Sequence, residues 1–373
     1  MKSKVALIIG ICVLFFGCAE EPSQVKKEQR LRVNGQWVTE PGGQPMFNPQ
    51  TSALVNWRGG LLTLSDRSAD ASHRLKLRAI DPNTSVLSGP DLLMRPSEQV
   101  QNSCFAEYVS NNPDLEALVV DPDDDKVFYI VTEDASYAAP MTAACQQQYA
   151  NSRATLYPSL LIRLALQSDD TVMMTHIRPI QFSTTKQIGN FPNDGIEALA
   201  FDQNRTLYLG LEKDSNNQAR IFSLQMDSDF WQSSDFALVK ESVAKLPKFD
   251  KGQHPINGMD FYQSKNTQGF LLMAARNDES LWIVDLSGEK DAQIIAFDFY
   301  AEIKGNSPGC EDYELMKNAS IEGVAVIDNT LWLINDPWKA VYTTNIQCRQ
   351  NEQNYRSFSP LLFSLPIQAE WFE

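Results

Sequence analysis

The chain has 373 residues and a formal net charge of −15, with 43% hydrophobic and 21% charged residues. That hydrophobic share supports a packed core and excludes a disordered chain, and the acidity excludes nucleic acid and anionic lipid head groups as charge-matched partners. The length accommodates one large all-β domain or two small ones.

The first element is a processing signal. Lys2 and Lys4 precede an apolar run over residues 5–16, followed by Gly17-Cys18. The run is too short for a permanent membrane span and reads as a signal peptide over residues 1–17. Phe15-Phe16-Gly17-Cys18 resembles the bacterial lipobox, although the usual form is Leu-Ala-Gly-Cys, so Cys18 is the expected lipidation site. Ala19 after the cysteine favours the outer membrane of a Gram-negative envelope. Removing residues 1–17 takes away two lysines and no acid, which moves the net charge from −15 to −17. Residues 18–30, rich in Glu, Gln, Lys and Pro, read as a flexible tether, leaving residues 31–373 as the folded domain.

That domain opens on Leu31-Arg-Val-Asn-Gly-Gln-Trp-Val38, an apolar–polar run without a local partner. One pattern then recurs five times: a polar residue, Ala or Gly, an apolar strand, a turn, and a second apolar strand ending in Asp, Glu or Asn. The copies begin at Ser52, Glu116, Glu197, Asn257 and Glu322, separated by 64, 81, 60 and 65 residues. Internal periods of this length point to repeat architectures. Polar turns such as Asp121–Lys126, Asp202–Arg205 and Asp328-Asn329 suit hairpins. A third strand follows in most copies (Leu75–Ile80, Leu160–Ala165, Ile221–Met226, Leu281–Leu286), and a more polar fourth ends most of them.

Four antiparallel strands repeated radially predict a β-propeller. The last copy lacks a fourth strand after Pro360–Leu365, so the N-terminal run is expected to close the ring as its missing strand, removing exposed sheet edges. Five four-stranded blades is the reading; six is the alternative, because the first copy has a long tail and the second is oversized.

Cys12 leaves with the signal. Of the rest, Cys104 and Cys310 each lie 12 residues before a Glu of the repeat, and Cys145 and Cys348 lie 29 and 26 after it. In an exported chain this parallel placement predicts disulfides Cys104–Cys145 and Cys310–Cys348. No C-x-x-C spacing supports a zinc site.

Antiparallel pairing places the start of each first strand and the end of each second strand on one rim. The inner set there is Ser52, Glu116, Glu197, Asn257 and Glu322. The outer set is Asp66, Glu133, Asp134, Glu212, Asp214, Asn277, Asp278, Asn335 and Asp336, interleaved with Arg67, Lys213 and Arg276. Converging carboxylates need protons, basic neighbours or a hard cation. All the ligands on offer are oxygens, so calcium on Glu116, Glu197, Asn257 and Glu322 is the expected metal site. The same residues could instead cap strand ends.

Gly195-Ile-Glu-Ala-Leu-Ala-Phe-Asp202 with Leu207-Tyr-Leu-Gly-Leu-Glu212 resembles the phytase-like propeller family, also called the "esterase-like activity of phytase" domain. Ser320–Val326 with Leu331–Asp336 is a second copy of the motif, and Asp114–Asp121 a third. The resemblance spans about residues 50–366 and implies an exported propeller with a phosphoesterase or metal-binding role. The Asp-rich signature of alkaline propeller phytases is not recognisable.

Three functions follow. The first is a lipid-anchored envelope module that binds a small-molecule or protein ligand at its acidic rim, with Lys213, Arg276 and Asp336 in contact. The second is a calcium-dependent phosphoesterase in which Lys213 and Arg276 hold phosphate. The third is a glycoside hydrolase using two ring carboxylates; Asn335-Asp336-Pro337 faintly resembles a signature of five-bladed glycoside hydrolases. Gly305-Asn-Ser-Pro-Gly309 fits G-x-S-x-G but lacks the helix a nucleophile elbow needs. His73, His176 and His254 stand far apart in sequence; His254 precedes the Asn257 strand and could reach the rim, and a Ser-His-Asp triad has no positive support.

Overall fold

The computed structural model describes residues 30–373 except 134–141, 151–158, 183–187, 189–194, 234, 266 and 306. The signal run, Cys18 and the tether as far as residue 29, and Asp134, therefore lie outside the described residues.

The fold is all-β. Strand β1 (Leu31–Trp37) stands first, and five groups follow. The first is β2 (Thr51–Trp57), β3 (Gly60–Ser65), β4 (Lys76–Asp81) and β5 (Val86–Pro96). The second is β6 (Leu115–Val120), β7 (Val127–Thr132), β8 (Leu160–Leu166) and β9 (Thr171–Gln181). The third is β10 (Ile196–Phe201), β11 (Thr206–Leu211) and β12 (Arg220–Gln225), followed by the two-residue strands β13 (Ala237–Leu238) and β14 (Lys240–Glu241). The fourth is β15 (Ile256–Tyr262), β16 (Phe270–Ala275), β17 (Ser280–Asp285) and β18 (Gln293–Glu302), with β19 (Tyr313–Met316) paired to β18. The fifth is β20 (Ile321–Ile327), β21 (Thr330–Asn335) and β22 (Leu361–Pro366).

Within each group successive strands pair antiparallel, and β14 serves as the fourth strand of the third group. The N-terminal run does join the last group: β1 pairs antiparallel with β22, in the register Gly35↔Phe363, Gln36↔Leu362 and Trp37↔Leu361. Gly35 is required there, because a Cβ would stand 2.5 Å from the Phe363 ring.

The groups are also stitched sideways. Parallel pairing joins β5 to β9 and β1 to β18, so the chain forms two nine-stranded sheets, and the third group stands as a four-stranded sheet of its own. Among the described residues, that group's backbone pairing to its neighbours runs through β13, which pairs parallel with β9 at two residues, and through one bridge between Lys245 and Asp291.

The innermost strands β2, β6, β10, β15 and β20 each touch the next, and β20 returns to β2, so they enclose an axis in a propeller-like arrangement. The apolar core is split accordingly into five clusters, each between consecutive groups. Strand β16 shows why its sequence runs apolar without alternation: Phe270, Leu272 and Ala274 face the fifth group, whereas Leu271, Met273 and Ala275 face the third. Burial on both faces removes the polar half of the strand pattern.

The axis is packed. Between Ala53, Leu54, Leu118, Leu199, Met259 and Val324 only about 10 Å³ stays open, about one water. The acidic rim is thus a closed-bottomed mouth rather than the entrance to a through-channel.

Helices occur as short pieces in the insertions: α1 (Glu98–Gln101), α2 (Ala106–Asn111), α3 (Ala143–Ala150) and α4 (Glu352–Arg356). The two disulfides are Cys104–Cys145, tying the α1–α2 insertion to α3, and Cys310–Cys348, with Cα separations of 5.6 and 5.8 Å. Both pairings match the sequence expectation.

Candidate functional site

The five repeat-opening residues share a backbone irregularity. In every group the ladder between the first two strands slips by one residue at the same place: Thr51/Ala53, Leu115/Ala117, Ile196/Ala198, Ile256/Gly258 and Ile321/Gly323. The residue skipped is Ser52, Glu116, Glu197, Asn257 or Glu322. A β-bulge adds one residue to one strand and re-aims its side chain. Five equivalent bulges therefore turn these five polar side chains onto the same rim. All are buried. Where the following residue is Gly, crowding requires it: a Cβ on Gly258 would stand 2.5 Å from the Glu322 carbonyl oxygen, and one on Gly323 would stand 2.6 Å from the Leu54 Cβ.

A second ring surrounds the first. The residue pairing just before each bulge is Ser65, Thr132, Leu211, Ala275 or Asn335, and the next residue along is Asp66, Glu133, Glu212, Arg276 or Asp336. Three carboxylates in the inner ring and four in the second make seven, against the single guanidinium of Arg276. That arginine occupies the position where the other four groups carry acids. It bonds Glu322 through Nη1 and Glu212 through Nη2, the latter at 3.4 Å.

The remaining contacts are local. Asn257 Nδ2 donates to Glu197 Oε2 at 3.2 Å, and Asn257 Oδ1, fully buried, has no hydrogen-bond partner among the described residues. Ser52 Oγ donates to the Leu115 carbonyl at 2.6 Å and closes the ring by a backbone contact. Lys213 Nζ bonds Glu212 at 3.0 Å, and Arg67 Nε bonds Asp114 at 2.7 Å. Asp336 Oδ1 is another buried oxygen with no partner among the described residues.

Electrostatics follow from this crowding. Burial first, then the neighbouring Glu197, Asp114 and Glu133 charges, push Glu116 well above the usual carboxylate range. Burial, then Glu133 and Glu212, do the same to Glu197. Burial also raises Asp336, with Glu322 and Asp66 adding to it. Burial carries Glu322 to about 7 although Arg276 pulls it down, and Asp66 rises to about 6 through burial and Asp114. Removing water destabilises the ionised form, and like charges compound the effect.

Two sets of carboxylates bring one oxygen from each member within 4.8 Å of one another: Asp114–Glu116–Glu133 and Glu133–Glu197–Glu212. Calcium–oxygen bonds run about 2.3–2.6 Å, so oxygens spaced this way can share one ion. Hard oxygen donors, excess negative charge and the unpartnered Asn257 Oδ1 beside Glu197 suit a calcium ion.

Of the residues anticipated as metal ligands, Glu116 and Glu197 lie in these sets, Asn257 abuts Glu197, and Glu322 is engaged by Arg276. Glu133 and Glu212 were anticipated in the outer set; Glu133 is shared by both groupings and Glu212 completes the second, and Asp114 joins the first from the residue two before the Glu116 bulge. Other outer-set residues are bound up in local structure. Asp214 caps Asn216 and Gln218 and pairs with Arg220. Asn335 Oδ1 accepts from the Leu361 amide at 2.6 Å. His254 Nδ1 lies 2.8 Å from Asp278, while its Nε2 faces the Lys251 carbonyl at 2.9 Å. Ser307 receives a hydrogen bond from Gln350 and stands in a turn, not an elbow.

A cavity of about 420 Å³ opens on the same rim, lined by Arg276, Asn277, Asn318, Ser320 and Trp338. At the opposite mouth a second, of about 550 Å³, is lined by Val55, Val119, Phe201, Phe261 and Val326 around Asp260. The Asp260 carboxyl accepts from the Phe261 and Val326 amides, both at 2.7 Å, and desolvation pushes it up to about 7.

No protein-family model and no curated protein matches the sequence. Among solved structures, the chain is similar to the major allergen Mala s 1 of Malassezia sympodialis (11% identity, TM-score 0.45, covering 86% of this chain and 94% of that one). It is also similar to a putative glycoside hydrolase from Parabacteroides distasonis (10%, 0.40, 92% and 95%). A third is the PQQ-bound aldose sugar dehydrogenase of Streptomyces coelicolor (11%, 0.37, 86% and 95%). Nothing about chemistry passes from them to this chain.

Proposed function

We propose that this is an exported, lipid-anchored five-bladed β-propeller whose buried acidic rings hold calcium and whose rim binds a small-molecule or protein ligand. The observation that carries the reading is the Glu133–Glu197–Glu212 set, with one oxygen of each within 4.8 Å of the others and Asn257 Oδ1 left without a partner beside it. These residues would be the calcium ligands. Bound calcium would supply positive charge to a cluster of seven carboxylates and one guanidinium, and the chain's own part is to hold those oxygens converged through the bulges.

Calorimetric titration with calcium, and thermal melts with calcium or chelator, test this. Calcium is expected to raise the melting temperature by mass action, worth about 2.7 kcal/mol at a hundredfold excess over Kd, and Glu197→Gln to shrink the gain. Coincident melts would overturn the reading. The anchor is tested by mass spectrometry of the mature N-terminus, expected to begin at a lipidated Cys18.

Catalytic readings draw different support. A phosphoesterase of the phytase-like kind would ask phosphate to compete for Lys213 and Arg276, which already bond Glu212 and Glu322. Glycoside hydrolysis needs one protonated and one ionised carboxyl, and Glu322, held at about 7 among acids, offers the first.

A further inference from the structure

We propose that the rim cavity bounded by Arg276, Asn277, Asn318, Ser320 and Trp338 is a binding site for an uncharged saccharide. Its volume of about 420 Å³ lies within the ~300–1,000 Å³ range of small-molecule sites. Saccharide binding there needs no bound calcium, only the side chains that line the cavity.

Trp338 is 52% exposed, unusual for the largest apolar side chain in a molecule whose core excludes water from Trp37 and Trp282. An exposed indole supplies a rigid flat apolar face beside polar groups, which matches the C–H face of a pyranose ring. Asn318 is exposed, and its side-chain amide has no hydrogen-bond partner among the described residues. It is held out on a segment where both Asn318 and Ser320 adopt left-handed backbone conformations, φ 53° and 59°. Such conformations carry a strain cost in residues other than glycine. The segment is fastened from behind by Asn345, whose Oδ1 accepts from the Lys317 amide and whose Nδ2 donates to the Lys317 carbonyl, and by Glu279, which accepts from the Asn318 amide. The exposed Asn277 donates to the Gln253 carbonyl through Nδ2, which leaves its side-chain oxygen available as an acceptor.

Charge selects among ligands. Arg276 is engaged by Glu322 and Glu212 and offers no free cation to an anionic ligand. The surplus of buried carboxylates beneath the cavity discourages an anion. An uncharged ligand rich in hydroxyls uses the amides, the hydroxyl and the indole and needs no free charged partner.

The test is a glycan array carrying neutral, sialylated or sulfated, and amino-sugar oligosaccharides, probed with the mature protein, followed by titration of the best neutral glycan. Retention of one or more neutral glycans is expected. Trp338→Ala is expected to lower affinity about tenfold or more, as loss of an aromatic anchor does, and Asn318→Ala to lower it less. Both positions are exposed, so folding is retained, and the calcium-dependent melt of either variant should match the parent protein. No neutral glycan above background, retention of charged glycans alone, or unchanged affinity in Trp338→Ala would overturn the proposal. A lost calcium response with glycan binding intact would count against the metal reading alone.

Discussion

Asn257 donates through Nδ2 to Glu197 Oε2 at 3.2 Å, across the boundary between the third and fourth groups, and its buried Oδ1 has no hydrogen-bond partner among the described residues. The two side chains are the bulged residues of adjacent inner strands, so a single backbone device sets both ends of the bond.

Asn257→Asp replaces the donor with a further acid. Without calcium, Glu197 then faces a like charge and loses its hydrogen bond, a cost of about 1–3 kcal/mol. Added calcium should recover that loss and raise the melting temperature more than in the parent protein. Melts of both proteins across a calcium series provide the measurement, and an equal calcium response in the two would place the ion elsewhere.

Arg276→Met removes the only cation of the two rings and leaves Glu322 and Glu212 without their shared partner. Breaking a buried pair costs ~3–5 kcal/mol, and the lower end applies here because the Arg276 side chain is 30% exposed. The loss should be largest at pH 8 and shrink toward pH 5.5, where Glu322 takes up a proton. Urea unfolding at the two pH values reads this directly.

Asp260 sits at the other mouth, away from the rings, with its carboxyl raised from 3.8 to about 7. Because the folded value is the higher, the folded state keeps a proton that the unfolded chain releases. That contribution is fully present below about pH 4 and is lost as pH rises through about 7. Stability should fall over this window, and Asp260→Asn should flatten the slope. Denaturation midpoints from pH 4 to 8 check it; a parallel slope in the variant would exclude Asp260 as the source.

The disulfides close spans of 41 and 38 residues. On the chain-entropy model each stabilises by about 4 kcal/mol. Reduction, or paired Cys→Ser replacement at Cys104 and Cys145, should lower the unfolding free energy by an amount of that order. Non-reducing peptide mapping should recover the two pairs uncrossed.

The repeat was legible because turns and strand ends carry distinctive residues, and the Leu31–Val38 run betrayed itself as a strand without a local partner. The bulges were not legible. Strands such as Ile196–Phe201 are buried on both faces, so no alternation exists whose slip would reveal an extra residue. Equating the second-strand ends was harder for the same reason. Asp214 stands only two residues beyond Glu212, and only the ladder register separates the ring position from the turn. Arg276 follows Ala275 directly and was readable as a rim cation. That it takes the place of an acid emerges only once the five registers are superimposed.

The sideways stitching of the sheets has a mechanical consequence. Two arcs of the ring are joined by parallel seams, while among the described residues the backbone pairing of the third group to its neighbours is a two-residue strand on one flank and one bridge on the other, beside the apolar clusters that pack it on both sides. Thermal breathing concentrates where backbone ties are fewest, so this group is the segment that loosens first. Glu197 and Glu212 belong to it, and Glu133 to its neighbour. An ion gripped by all three would act as a rivet through the weakest joint, and emptying the site would let the ring gape at one defined place while the two arcs stayed rigid.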